Sequence, residues 1–341
     1  MKLKFVDIKD IYYPYDDFIK DYLLSEHADI KKYKSERKNQ ASPIVIKWEA
    51  DKVDKQTFVY SLDSKYQNSI EVEIDKNERE VELYNLYKAS TYHCKLVVIS
   101  NNNEQIIETS FSTTDLGPRI MNVDGVFNVR DVGGYVGYND KRTKQGLLYR
   151  GGALDISSDH HYDVFINLSE KGKQVLSKEL KIKTEFDIRK KEEALFKTKS
   201  LIPNAELIYF PTNGYLSAFT QSEGYRDVFK ALSNEKYYPI YMHCTGGADR
   251  TGTVCFILNA LLGVKESDLI HDYEITTFSI YGIRDSKEVG TPLEFYAFYE
   301  YFKDHYQGDN LREKAINYLL DIGVTKEEIE NIEKIMFWGT N

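Results

Sequence analysis

One stretch in the C-terminal half of this chain constrains its fold more than any other. An apolar, β-prone run at 237–242 leads into Cys244 and a turn that contains Gly246 and Gly247. A second apolar segment, 253–262, begins a few residues later. This order predicts a buried strand, a tight loop and a buried helix.

The predicted loop has the composition of an anion-binding site with a nucleophile at its base. Five residues separate Cys244 from Arg250. Backbone N–H groups that converge at a helix N-terminus bind a tetrahedral anion and lower the pKa of a nearby thiol. Arg250 can bind two phosphate oxygens, and the Thr251 hydroxyl can stabilise the thiolate. Gly246 and Gly247 permit backbone angles that a Cβ would forbid. The pattern predicts phosphoryl transfer through a phosphocysteine, whereas an isolated cysteine would more simply be a core residue.

The segment from His243 to Gly252 resembles the Cys-x5-Arg loop of protein tyrosine phosphatases. It is most similar to the bacterial family whose loop reads His-Cys-x-x-Gly-x-Asp-Arg-Thr-Gly. The resemblance covers roughly 122–336 and includes an Asn-x-Arg-Asp-x-Gly-Gly motif that begins at Asn128. It implies a cysteine-phosphatase α/β fold, with a mostly parallel central sheet flanked by helices, and no metal or cofactor.

The resemblance also implies roles for individual residues. Cys244 would be the nucleophile, Arg250 the phosphate clamp and Asp249 the general acid, whose pKa should be raised. Asp187 is the second candidate for the acid, because the strand predicted at 207–211 is not followed by a carboxylate until Glu223. A structural salt bridge is the alternative for Asp187 and Arg189. The expected substrate-binding residues are Thr245, Gly246, Gly247, Ala248, Thr251, Asp187 and Arg189, and the supporting residues are His243, Arg130 and Asp131, the last two as a pair.

The substrate class stays open at this stage. Ala248 occupies the position at which the family commonly has a lysine that binds multiply phosphorylated substrates, and Lys190 and Lys191 are the candidates to replace that charge. The departure favours phosphotyrosine, with or without dual specificity, in a phosphorylated protein. A phosphoinositide or inositol phosphate, presented as a phospholipid headgroup, is the alternative substrate. A phosphate-binding module without turnover is the second alternative.

Residues 42–114 have the pattern of an all-β domain. Six short runs rich in β-branched and aromatic residues alternate with polar turns, which is typical of a β-sandwich. Trp48 and Tyr92, which follows a Leu-x-x-x-x-Thr turn, resemble the core tryptophan and corner tyrosine of fibronectin type III modules. Such a domain would serve as a spacer or bind a protein partner. The predicted divisions are an N-terminal arm over 1–30, the sandwich over 31–116 and the catalytic domain over 117–341.

The overall composition argues against several functions. A net charge of −9 does not suit a nucleic-acid binder. Three widely spaced cysteines predict neither a disulfide framework nor a metal cluster, and a reactive thiolate suits a reducing compartment. We expect no stable membrane insertion, and a cytoplasmic location unless a leader has been removed. His160 and His161 lack further ligands at metal spacing and are expected in a solvated loop.

Overall fold

The structure is a computed structural model that describes residues 2–25, 29–33, 41–155, 167–288 and 295–340. The histidine pair at 160–161 lies outside the described residues. The chain divides into two compact units. The first comprises Met1–Lys20 and Ala41–Leu116, and the second comprises Asp21–Gln40 and Gly117–Asn341.

The boundary predicted between residues 30 and 31 differs from this division. The 3-10 helix Ile30–Tyr33 belongs to the second unit, where Ile30 is buried and Lys31 pairs with Asp285 at 3.0 Å. The predicted arm is therefore shared between the two units, and residues 31–33 are not part of the sandwich. At the other end of the sandwich, the structure divides the chain between Leu116 and Gly117.

The first unit consists of two sheets that share one apolar core. Its strands are β1 (Leu3–Val6), β2 (Ile11–Tyr12), β3 (Ile44–Ala50), β4 (Lys55–Ser61), β5 (Ile70–Ile74), β6 (Glu80–Leu83), β7 (Thr91–Ser100) and β8 (Asn103–Thr113). One sheet has the order β1-β3-β6 and is antiparallel. The other has the order β2-β8-β7-β4-β5, in which only the β2–β8 pair is parallel. All six predicted runs form strands, β3 to β8.

Alternation of buried and exposed side chains places the core of the first unit between its two sheets. Trp48 from β3 is 2% exposed and stacks on Phe58 from β4. The predicted core position of Trp48 is confirmed. The Tyr92 hydroxyl accepts a hydrogen bond from the backbone N–H of Tyr87 at 2.8 Å, as a corner tyrosine would. The likeness to fibronectin type III modules stays a prediction.

A mostly parallel sheet lies at the centre of the second unit. Its strands are β9 (Arg130–Asp131), β10 (Leu148–Gly151), β11 (Thr184–Asp187), β12 (Glu206–Tyr209) and β13 (Ile240–His243). The order is β12-β11-β13-β10-β9, and only the pairing of β9 with β10 is antiparallel. The predicted α/β class and mostly parallel sheet are confirmed. Every residue of β13 is buried, as expected for a strand covered on both faces.

The last helix of the chain, Lys326–Trp338, begins with a capping box. Thr325 and Glu328 form this capping box, in which each side chain binds the other residue's backbone N–H. Among the described residues, the helices are too short or too polar to cross a membrane. The α-helices are α1 (Asp17–Leu24), α2 (Glu170–Gln174), α3 (Ser217–Thr220), α4 (Glu223–Leu232), α5 (Arg250–Leu261), α6 (Glu266–Glu274), α7 (Phe295–His305), α8 (Leu311–Asp321) and α9 (Lys326–Trp338).

Candidate active site

The loop at 244–249 joins β13 to α5 at the carboxyl edge of the sheet. β13 runs parallel to β10 and β11, so the ends of all three strands meet at this edge, where α/β proteins bind ligands. Eleven of the twelve residues of α5 are buried, which fixes the helix against the sheet. The predicted strand, tight loop and buried helix are confirmed. Cys244 lies at the base of the loop and is 3% exposed.

The loop is held from outside by hydrogen bonds to four consecutive carbonyl oxygens. Because a trans peptide directs its N–H away from its C=O, the N–H groups of 246–249 point to the opposite side, the inside of the loop. Within the part of the chain that the structure describes, these N–H groups have no protein acceptor. They are available to bind an oxyanion. The outer bonds are Ala153 N to Thr245 O (2.9 Å), Asn128 Nδ2 to Gly246 O (2.9 Å), and Arg150 Nη2 to Gly247 O (2.6 Å) and Ala248 O (3.3 Å).

A buried network of two arginines and one carboxylate supports these outer bonds. The Asp272 carboxylate binds Arg150 at 2.5 Å and the Nε of Arg130 at 2.8 Å. Arg130 also donates to the Asn128 side chain at 2.6 Å, and so positions the amide that binds the loop. Burial raises the pKa of Asp272, but the two arginines lower it by more, so the group is a carboxylate. Arg150 and Asp272 lie within the part of the chain that resembles the family, but the sequence indicated no role for either.

Arg130 and Asp131 do not pair with each other, so that prediction is wrong. Neighbouring side chains of a strand point to opposite faces, and the two residues contact different partners. Arg130 binds Asp272, whereas Asp131 binds Arg119 at 2.9 Å and the N–H of Gly133 at 2.9 Å. Both side chains are fully buried, which is consistent with support of the sheet.

The surroundings of Cys244 favour its thiolate. Burial raises the pKa of the thiol, but the Arg250 guanidinium and the Thr251 hydroxyl lower it by more, so the pKa lies below its ordinary value. The Thr251 hydroxyl is buried and has no regular hydrogen bond within the described ranges, which leaves it available to the sulfur. By contrast, burial raises the pKa of Cys255 to about 11 and that of Cys94 to about 12.

Arg250 projects from the first turn of α5 into a cleft. Its Nη1 donates to the Glu193 carboxylate at 2.6 Å, and its Nη2 donates to the Thr245 hydroxyl at 3.3 Å. Glu193 lies in the segment after β11, and no sequence motif indicated a role for it. The guanidinium that is predicted to hold phosphate is therefore occupied by a carboxylate in this structure.

Asp249 also carries a counterion. The Nε of Arg284 donates to one carboxylate oxygen at 2.7 Å and its Nη2 to the other at 3.1 Å, and the Tyr215 hydroxyl donates to the first. Burial raises the pKa of Asp249, but Arg284 and Tyr215 lower it by more. The prediction that the pKa of Asp249 is raised is therefore wrong. The side chain is 39% exposed and lines the cleft, so a substrate can reach it.

Asp187 and Arg189 lie next to the loop but are fully buried and do not line the cleft. Arg189 binds Asp187 at 2.7 Å and Asp155 at 3.0 Å, so the structure has the salt bridge that was the alternative to substrate contact. Burial raises the pKa of Asp187, but His243 and Arg189 lower it by more. An ionised, buried carboxylate in a salt bridge is poorly suited to donate a proton to a substrate.

His243 extends this buried network to Glu185. Its Nδ1 faces the Cys244 carbonyl at 3.0 Å and its Nε2 faces Glu185 at 2.9 Å. Burial raises the pKa of Glu185, but His243 and Lys197 lower it by more, to about 2. In the same network, three carboxylates (Glu185, Asp187, Asp155) pair with the cations Arg189 and Lys197.

The buried network does not suit a metal ion. The ligand atoms of Glu185, Asp187 and His243 lie within 4.8 Å of one another. However, Lys197 binds Glu185 at 2.8 Å, and Arg189 binds Asp187 at 2.7 Å. A cation would have to displace charges that are already paired.

The cleft in front of the loop has a volume of about 720 Å³. Its walls combine aromatic rings with charged groups. Lys190 and Lys191 line a separate depression and are not among the residues described around this cleft. The principal lining residues are Glu193, Asn213, Gly214, Tyr215, Asp249, Arg250, Tyr273, Arg284 and Phe295.

The chain belongs to the tyrosine phosphatase family, whose model matches residues 121–337. It is 32% identical over 65 residues to a tyrosine-protein phosphatase of Nostoc commune, a match that covers 19% of this chain and 22% of that protein. The chain thus spans about a fifth of the length of that curated relative. A similar solved structure is the core catalytic domain of the PP-IP phosphatase SIW14 from S. cerevisiae in complex with citrate. It shows 17% identity and a TM-score of 0.32, over 48% of this chain and 86% of that chain.

Proposed function

We propose that this protein hydrolyses phosphate monoesters, with phosphotyrosine as its substrate, through a phosphocysteine intermediate. The observation that carries the proposal is the geometry of the loop. Four outer hydrogen bonds turn its N–H groups inward above Cys244, whose thiol pKa is lowered. An anion hole and a thiolate at one place are what phosphoryl transfer to cysteine requires.

In the proposed first step, the Cys244 thiolate attacks phosphorus and the bond from phosphorus to the leaving oxygen breaks. Arg250 and the inward N–H groups hold the equatorial oxygens, for which Arg250 exchanges Glu193 for phosphate. Asp249 is the proposed acid: because Arg284 and Tyr215 lower its pKa, it must first leave Arg284 and take up a proton, which it then gives to the leaving oxygen. Its exposure favours it over Asp187, which is fully buried.

In the proposed second step, water attacks the phosphocysteine and the P–S bond breaks. Asp249, now a carboxylate, takes the proton from the attacking water. The sulfur leaves as a thiolate, which Thr251 and the helix N-terminus stabilise. The products are inorganic phosphate and the free hydroxyl compound, and Asp249 ends the cycle protonated, as it began.

The family and the cleft both support phosphotyrosine as the substrate. Aromatic walls formed by Tyr215, Tyr273 and Phe295 can pack against a phenol ring. An inositol phosphate or phosphoinositide is the second candidate, because Arg284 adds a cation to a cleft whose loop has Ala248 instead of lysine.

The test compares phosphate release from a phosphotyrosine peptide, a phosphoserine peptide and a phosphoinositide. Cys244→Ser is expected to reduce release by about 10³-fold or more, because a hydroxyl is a far weaker nucleophile than a thiolate. Cys94→Ala, which removes a cysteine from the core of the first unit, is the matched control. Release that survives Cys244→Ser, or that is absent from the unmodified protein with all three substrates, would contradict the proposal.

A further inference from the structure

Arg284 has no role in the proposed chemistry, although it binds the proposed acid. Its Nε and Nη2 face the two oxygens of Asp249, and its Nη1 donates to the carbonyls of Tyr281 and Ile283 at 3.0 and 3.1 Å. The carbonyl bonds tie one edge of the guanidinium to its own segment. The edge that binds Asp249 is the one that a ligand in the cleft can compete for.

The segment that carries Arg284 is anchored at both ends. The Thr277 hydroxyl accepts from the Arg284 N–H at 2.8 Å and donates to the Arg284 carbonyl at 3.2 Å. Further along, Ser286 binds Glu274 through its N–H at 2.9 Å and its hydroxyl at 2.6 Å. The backbone on both sides of Arg284 is therefore held in place, so only its side chain needs to move when a ligand binds.

Asp249 is surrounded by donors and cations that bear on its protonation. Arg284 and Tyr215 contact its oxygens, and the Tyr273 hydroxyl lies 3.1 Å from the Tyr215 hydroxyl. Arg250 and the thiolate of Cys244 are the charged groups on its other side. Among the described residues, Arg284 is the cation that makes two hydrogen bonds to the carboxylate, so its removal has the largest effect on the proton affinity of Asp249.

We propose that the substrate carries a second anionic group, a phosphate or carboxylate beside the transferred phosphoryl group, and that this group binds Arg284 and detaches it from Asp249. Asp249 then takes a proton from solvent and can give it to the leaving oxygen. The second anion thus both binds the substrate and prepares the acid. The inference rests on the proposed function, because it assigns the substrate class of the same site.

The experiment uses two matched pairs of substrates. One pair is an inositol bisphosphate with adjacent phosphates and the corresponding monophosphate. The other is a phosphotyrosine peptide with Asp next to the phosphotyrosine and the same peptide with Asn. The unmodified protein is expected to prefer the doubly anionic member of at least one pair by about tenfold in kcat/KM. The pair that shows the preference identifies the source of the second anion.

Arg284→Met removes the charge, and Lys287→Met removes an exposed cation from the same segment as the matched control. In Arg284→Met the preference is expected to fall below about twofold. The alkaline limb of its kcat profile with the monophosphate is expected to move to higher pH, because the acid then loses its proton at a higher pH. Lys287→Met should change neither quantity.

A preference that survives Arg284→Met, or equal rates for both members of both pairs, would overturn the inference. Binding by Cys244→Ser, measured by calorimetry, separates this outcome from failure of the proposed function. If no substrate is turned over but Cys244→Ser binds the bisphosphate about tenfold more tightly than Cys244→Ser/Arg284→Met does, the anion site stands and the hydrolysis proposal fails. Equal binding by these two variants would reject the anion site.

Discussion

Arginine–carboxylate pairs occur on both sides of the loop at 244–249, and the two sides differ in exposure. Outside the loop, Arg130 and Arg150 share Asp272, and all three side chains are buried. Inside the cleft, Arg250 pairs with Glu193 and Arg284 with Asp249, and these four are partly exposed.

Because they differ in exposure, the buried and the partly exposed arginine–carboxylate pairs have different roles. A buried pair that loses one partner leaves an uncompensated charge, so the outer pairs act as fixed supports. A partly exposed pair gains little from its attraction, so a phosphate can replace the carboxylate that binds the arginine at small cost. The outer pairs therefore shape the anion hole, and the cleft pairs are proposed to exchange partners with the substrate.

The largest effect is expected from loss of a fixed support. Arg150→Met leaves the Gly247 and Ala248 carbonyls without their donor, and Asp272 with one cation fewer. We expect unfolding to become easier by about 3–5 kcal/mol and kcat to fall by about 10²-fold or more. Chemical denaturation and steady-state kinetics measure the two quantities. Arg226→Met, which breaks an exposed pair with Asp227, is the control and should cost less than about 1 kcal/mol. If Arg150→Met and Arg226→Met lose similar amounts of unfolding free energy, buried and exposed pairs do not differ in the way described.

A second buried carboxylate, Glu185, makes the stability of the protein depend on pH. The pKa of Glu185 is lowered from 4.5 to about 2, so its folded-state pKa lies below its unfolded value. Its stabilising contribution is complete above the unfolded value and is lost as pH falls from about 4.5 towards 2, which amounts to about 3 kcal/mol. The free energy of unfolding, followed across this range, should depend less on pH in Glu185→Gln than in the unmodified protein. Equal slopes would mean that Glu185 does not hold its charge in the folded state.

The smallest effect is expected from an exchangeable pair. Glu193→Gln frees Arg250, so inorganic phosphate should inhibit at about threefold to tenfold lower concentration, with a stability change below about 1 kcal/mol. Glu192→Gln removes the neighbouring exposed carboxylate and is the control. Weaker inhibition by phosphate in Glu193→Gln would show that Glu193 positions Arg250 instead of competing with its ligand.

The elements and the nucleophilic loop were accessible from sequence because their signals are local. The apolar run before Cys244 and the one after Arg250 each specify their own structure, and the six runs of the first unit do likewise. The capping box of the last helix also depends on neighbouring residues only. Family resemblance then supplied the chemistry of the loop.

The partners of the site residues were not accessible in the same way. Asp272 lies 122 residues from Arg150, Glu193 lies 57 from Arg250 and Arg284 lies 35 from Asp249. Pairing over such distances depends on how the sheet and helices are arranged, and a single sequence does not specify it. The predicted pairing of Arg130 with Asp131 and the predicted rise of the Asp249 pKa were wrong because the sequence does not reveal which residues surround these side chains.

The close approach of Gly247 to β10 limits how this protein can be engineered. Gly247 has φ +63°, and a Cβ placed there would lie 2.0 Å from the carbonyl oxygen of Gly151. No single side chain can be added at that position without moving a strand of the central sheet. Attempts to change substrate preference should therefore leave the loop intact and vary Glu193, Tyr215 and Arg284 on the cleft walls. Selection libraries confined to these positions would explore new specificities while the surroundings of the nucleophile stay constant.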